Sequence, residues 1–154
     1  MLKRVFPETA DNNFNGIRLA KWLLALFVAK SFLAGGIHMF APDGGAQSIG
    51  SVVLDQFTAD GANTVITMFG LWGMEQAVIG LIGLTVLLFY NSLIPLMALV
   101  YVIEYAGRFL SGLYTPGVVT AHTPPGAAAD YILVPLTVLM FFLSVHNPKK
   151  GQIV

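Results

Sequence analysis

From residue 17 onward the chain is a succession of long apolar runs separated by short polar breaks. Four runs stand out. They are IRLAKWLLALFVAKSFLAGGIH (17–38), TVITMFGLWGMEQAVIGLIGLTVLLFY (64–90), SLIPLMALVYVIEYAGRFLSGLY (92–114) and DYILVPLTVLMFFLSVH (130–146). A helix that crosses a bilayer needs roughly 20 apolar residues, within a range of about 17–25. Each run meets that need, the fourth at its short end. The pattern predicts an all-α integral membrane four-helix bundle over 17–146, with a segment 1–16 before it and a tail 147–154 after it.

The breaks between the runs differ in kind. Tyr90, Asn91 and Ser92 form the turn at the junction of the second and third runs, which predicts an antiparallel hairpin of adjacent helices. The 39–63 connection holds PDGG, a turn signature, then QSIGSVVLDQF, whose apolar spacing predicts a short interfacial helix around 48–57. The 115–129 connection, TPGVVTAHTPPGAAA, reads as an irregular loop.

Composition agrees with the runs. The chain is 56% hydrophobic and 10% charged, against about 25% charged in soluble domains. Net charge is zero, so there is no basic field for nucleic acid. The absence of cysteine removes disulfides, thiolate metal sites and a cysteine nucleophile. The leader MLKRVFPETADNNFNG is too long and too acidic for a signal peptide, so the first run is expected to be retained as a span.

Charge then sets an orientation. Lys3, Arg4, Arg18, Lys21, Lys149 and Lys150 lie toward the chain ends, whereas the two long connections carry no Lys or Arg. The positive-inside rule puts both termini in the cytoplasm and Asp43, Asp55 and Asp60 on the outer side. The last two basic residues, Lys30 and Arg108, fall inside runs, as do Glu75 and Glu104.

At 1.5 Å per residue these charges share a depth. Above the cytoplasmic ends of their runs, Lys30 stands about 20 Å, Glu75 about 22 Å, Glu104 about 18 Å and Arg108 about 24 Å. Tyr131 is about 22 Å up with Asp130 one residue further, and Tyr105 lies beside Glu104. A charge facing lipid costs about 2.5–3.5 kcal/mol at the helix centre, so an inward-facing polar layer of Lys30, Glu75, Glu104, Arg108, Tyr105 and Tyr131 is expected. Glu75 is the expected partner of Lys30 or Arg108. Three roles remain open for the layer: fixing helix register, holding a ligand, or meeting another subunit.

Other residues are weighed in the same way. In FLAGGIHMF, small residues precede His38, a spacing compatible with a flat tetrapyrrole against the imidazole; the competing reading is an interfacial histidine. Gly73, Ala77 and Gly80 form a small-residue stripe on the second run, suited to close packing within the bundle or between protomers. There is no HExxH, paired-histidine spacing, Walker loop, dinucleotide fingerprint or G-x-S-x-G elbow, so neither a catalytic nor a metal-ligating residue is assigned.

The stretch G-I-H-M-F-x-P-D-G-G at 36–45, Glu75 in the second run and E-Y-A-G-R at 104–108 resemble the small bacterial four-helix membrane proteins grouped around DoxX. The resemblance implies a bacterial inner-membrane origin and association with electron-transfer or quinone chemistry. It fixes no catalytic residue and no cofactor. Two functions are therefore expected. One is a non-catalytic accessory or structural subunit of a membrane assembly, with lipids, other subunits or further copies as partners. The other is a binder of, or enzyme for, a quinone-like lipophilic ligand.

Overall fold

The computed structural model describes residues 1–114, 117 and 119–146. The tail 147–154, with Lys149 and Lys150, lies outside the described residues, as do Thr115, Pro116 and Val118 of the second long connection. A single turn of helix, α1 (Leu2–Val5), precedes four long helices: α2 (Arg18–Phe40), α3 (Ala59–Phe89), α4 (Ile94–Tyr114) and α5 (Pro125–Val145). All four are long and apolar enough to cross a membrane.

Two helices start earlier than their apolar runs. At 31 residues, α3 is about 46 Å long, more than the roughly 30 Å of hydrocarbon. Its first turns, before residue 64, are the polar part of that excess. The Thr58 side chain caps them, accepting from the Gly61 N–H at 3.2 Å, and Asp60 sits favourably in the first turn. In α5, Pro125 takes the first helical position, where a missing N–H costs nothing. The alanines that follow are strong helix formers, so 125–129 is helix rather than loop.

The packing does not follow the shortest link. The Tyr90–Leu93 link joins α3 to α4 through a 3-10 turn, Asn91–Leu93, yet these two helices touch little. The extensive contacts are α2 with α3 and α4 with α5, and α2 also reaches α4 and α5. The small-residue stripe explains this. It turns inward onto α2, and a Cβ placed on Gly73 would lie 2.7 Å from His38 Cβ and 2.8 Å from the Gly35 carbonyl oxygen. Backbones approach this closely only where side chains are missing. The core lies among α2, α4 and α5, with Leu24, Phe27, Ile94, Tyr101 and Met140 almost wholly enclosed. Phe27 packs edge-on to Tyr105 at 5.2 Å, and the Tyr101 hydroxyl meets Ser31 Oγ at 3.1 Å.

Each end of the bundle is closed differently. At one end, residues 1–16 wrap the helix ends. Arg4 Nη1 donates to the Val145 carbonyl at 2.7 Å, the Ile17 N–H donates to Leu143 O at 3.0 Å, and the Ser92 N–H donates to Asp11 O at 3.1 Å. The N-terminal segment and the end of α5 thus share one end with the α3–α4 link. The Asp11 carboxylate there is held below its ordinary value by the backbone N–H and then the side-chain amide of Asn13.

At the other end the two long connections meet. The Val53 N–H donates to Val119 O at 3.1 Å, the Ala121 N–H donates to Ser51 O at 2.8 Å, and Val52 bridges Thr120. The expected interfacial helix at 48–57 is absent: turns and one extended bridge replace it, and only Leu54–Gln56 forms a 3-10 turn. The reason is competition for amides. The Asp43 carboxylate collects the N–H groups of Gly45, Gln47 and Ser48 at 2.7–3.1 Å, while 51–53 pair across to 119–121. Gly44 and Gly45, at φ +60° and +69°, supply the left-handed backbone that this turn needs. Burial pushes the Asp43 carboxyl up, but the Ser48 and Gly45 amides outweigh it and hold it below its ordinary value.

Candidate functional site

The charges converge near the end where the connections meet. Glu104 and Arg108, one turn apart on α4, fall on the same face, and Arg108 Nη1 lies 3.2 Å from Glu104 Oε1. The early start of α5 puts Asp130 in its second turn. There its carboxylate takes the other side of the guanidinium, with Nε to Oδ2 at 3.1 Å and a second contact from Nη2 to Oδ1. Planar, two-pronged pairing of this kind is the strong form of the arginine–carboxylate contact. Asp130 is 5% exposed at its side chain, Glu104 16% and Arg108 23%. Arg108 also lies over the Tyr105 ring at 4.4 Å and the Trp72 ring at 5.9 Å, so one residue touches α3, α4 and α5.

Lys30 joins this group without an ion pair. Its Nζ sits 5.2 Å over the Tyr105 ring, and the residue is half-buried. With ordinary charges, Lys30 and Arg108 balance Glu104 and Asp130.

Two residues of the expected layer are exposed and make no ion pair among the described residues. Glu75 is exposed, and among the described residues no cation lies within 4 Å of it. Its α3 neighbours Leu71, Met74 and Val78 are 59%, 56% and 47% exposed, yet it lies one turn from Trp72 and within electrostatic reach of Arg108 and Glu104. The inner stripe of α3, with Gly73, Gln76 and Gly80, is occupied by α2, and one residue either way on a helix changes its face. Tyr131 is 71% exposed and rests edge-on against Phe109 at 5.4 Å; its neighbour Asp130 holds the inward position. Depth alone ranked the two together, and only helix phase separates them. Trp72 gave no sequence signal beyond its place one turn before Glu75.

His38 is buried where α2 ends. Its Nδ1 donates to the Gly44 carbonyl at 2.8 Å. Trp72 stacks on the ring at 4.9 Å and Phe69 meets its edge at 5.4 Å. These contacts make it a pin between α2, α3 and the Asp43 turn. His122, on the second connection, bonds Ser51 Oγ at 3.1 Å.

Chemically, the cluster is a fixed charge device. Arg108 stays protonated, and its two carboxylate neighbours are engaged by it, so the cluster offers rigidity and an oriented field. Comparison with family models, curated proteins and solved structures found no match for this chain.

Proposed function

We propose that this is a multi-pass protein of the bacterial inner membrane, with both termini cytoplasmic, that serves as a non-catalytic accessory subunit of a larger membrane assembly. The observation that carries the reading is Glu75. It is exposed beside an apolar stripe, about 21 Å from the Phe89 end of α3, and no cation lies within 4 Å of it among the described residues. A carboxylate facing hydrocarbon is costly, and intramembrane charges commonly pair. A partner helix bringing a Lys or Arg to this depth would give it a direct ion pair. The ion-paired Glu104–Arg108–Asp130 cluster supports the same reading, because its two carboxylates are already engaged by Arg108 whereas Glu75 makes no direct ion pair among the described residues. Lys3, Arg4, Arg18 and Lys21 gather at the end with the N-terminal segment, which supports the cytoplasmic assignment.

A photo-crosslinking residue placed at Met74 or Val78 in native membranes tests the docking face. The expected result is a protein adduct of defined mass at these positions and lipid adducts at Ile132 on α5. Lipid adducts alone at all three positions would overturn it. Reporter fusions at the C-terminus test orientation; an external reporter contradicts the assignment.

One observation favours a second reading, a quinone-like ligand. Lys30 has no carboxylate within 4 Å among the described residues, and the sparse contact between α3 and α4 leaves Trp72 and Arg108 to bridge them. A flat carbonyl compound entering there would find a cation and aromatic faces. Extraction of the purified protein with organic solvent tests this reading: a stoichiometric quinone supports it, and lipid alone removes it.

A further inference from the structure

We infer that the end of the bundle carrying the N-terminal segment holds a site for one anionic phospholipid, with its headgroup and one acyl chain bound in two adjoining depressions. The inference is independent of any partner on α3. A cleft of about 120 Å³ opens beneath the N-terminal segment, where Lys3, Arg4, Asn13, Asn15 and Ser92 stand beside the apolar walls of Phe14 and Pro95. A shallow groove of about 490 Å³ runs beside it along the end of α5, walled by Met1, Phe142, Val145 and His146. Arg4 lines both. The occupant that matches basic side chains at a cleft adjoining an apolar groove through Arg4 is an amphiphile with a negative head.

The donors are placed for this. Arg4 is half-buried and anchored through Nη1 on the Val145 carbonyl at 2.7 Å. A guanidinium has five N–H donors, and among the described residues no carboxylate lies within 4 Å of Arg4. Lys3 pairs with Glu8 at 3.4 Å, but both side chains are almost fully exposed. Such a pair contributes little and leaves the ammonium free to turn toward a phosphate. The neighbouring chain is built for an interface. Val5 is buried inward, while Met1, Leu2 and Phe6 expose 76%, 72% and 56% of their surfaces. Apolar side chains and basic residues in one short segment suit the boundary between headgroups and acyl chains.

The test uses the full chain in mild detergent and native mass spectrometry. Four probes are added: long-chain phosphatidylglycerol, long-chain phosphatidylcholine, short-chain phosphatidylglycerol and inorganic phosphate. The expected result is one tightly held phosphatidylglycerol, preferred over phosphatidylcholine by about fivefold or more per basic contact. Arg4→Gln should remove most of that preference and Phe142→Ala should weaken the long-chain species, while Lys21→Gln leaves both intact. If Arg4→Gln lowers helix content, Asn15→Asp, which adds negative charge to the exposed rim, should produce the same loss. Equal retention of the two long-chain lipids overturns the inference. So does a preference that survives both Arg4→Gln and Asn15→Asp. Inorganic phosphate binding as well as the long-chain lipid would make this a free-anion site and also overturn it.

Discussion

At the scale of single residues, Arg108 organises the end of the bundle where the two long connections meet. Removing one member of a buried ion cluster leaves an uncompensated charge and costs about 3–5 kcal/mol for a buried pair. The partial exposure of Arg108 and Glu104 places the expected loss at the lower end for that pair. Asp130→Asn should therefore destabilise the detergent-solubilised protein more than Glu104→Gln, because Asp130 is the more buried carboxylate and makes the two-pronged contact. Arg108→Gln combined with Asp130→Asn should recover part of the summed loss in thermal melts; strict additivity would show that the two side chains do not interact. The layer itself was legible from the spacing of Lys30, Glu104 and Arg108 along apolar runs. Asp130 was legible only as a depth. Its role depends on α5 beginning at Pro125, and that depends on a proline which reads equally well as loop punctuation.

At the scale of elements, close approach and turn chemistry decide the arrangement. Gly73→Leu should destabilise by about 1–3 kcal/mol through overpacking, since its neighbours are backbone and Cβ atoms of α2. Gly107→Ala, with nothing within 4 Å of its added Cβ, should be neutral or slightly stabilising. Comparable losses at both sites would contradict the tight α2–α3 seam. The Asp43 turn makes a pH prediction. A carboxyl held below its ordinary 3.8 adds stability that is complete above that value and is lost as pH falls through the lower folded value. Amide protection at Gly45 and Ser48 should stay level from neutral pH down to about 4.5 and fall only below about 3.8. A loss beginning above about pH 5 would point to another group.

The spans were readable because 20 apolar residues have few alternatives to a membrane helix. The 48–57 stretch was not, because its amides find partners at Asp43 and at 119–121, contacts that local spacing does not encode. The pairing of α2 with α3 followed from Gly73 and Gly80 facing Gly35 and Ser31, whereas the short link at Tyr90–Leu93 pointed to α3 and α4.

At the scale of the whole molecule, the charges within the apolar helices form an ion-paired cluster and one exposed carboxylate, Glu75, that has no direct ion pair among the described residues. That division is the basis for assigning the protein to a larger assembly. It predicts that Glu75→Gln leaves the isolated bundle within about 0.5 kcal/mol of the wild type, as for a surface position, while Arg108→Gln does not. The most direct measurement is the native mass of the protein extracted from its membrane in gentle detergent, wild type beside Glu75→Gln. A complex heavier than one chain in the wild type, reduced to the 16.5 kDa protomer by Glu75→Gln without loss of helix content, is the result predicted. A wild type that emerges as the bare protomer, or a complex indifferent to Glu75→Gln, would contradict it.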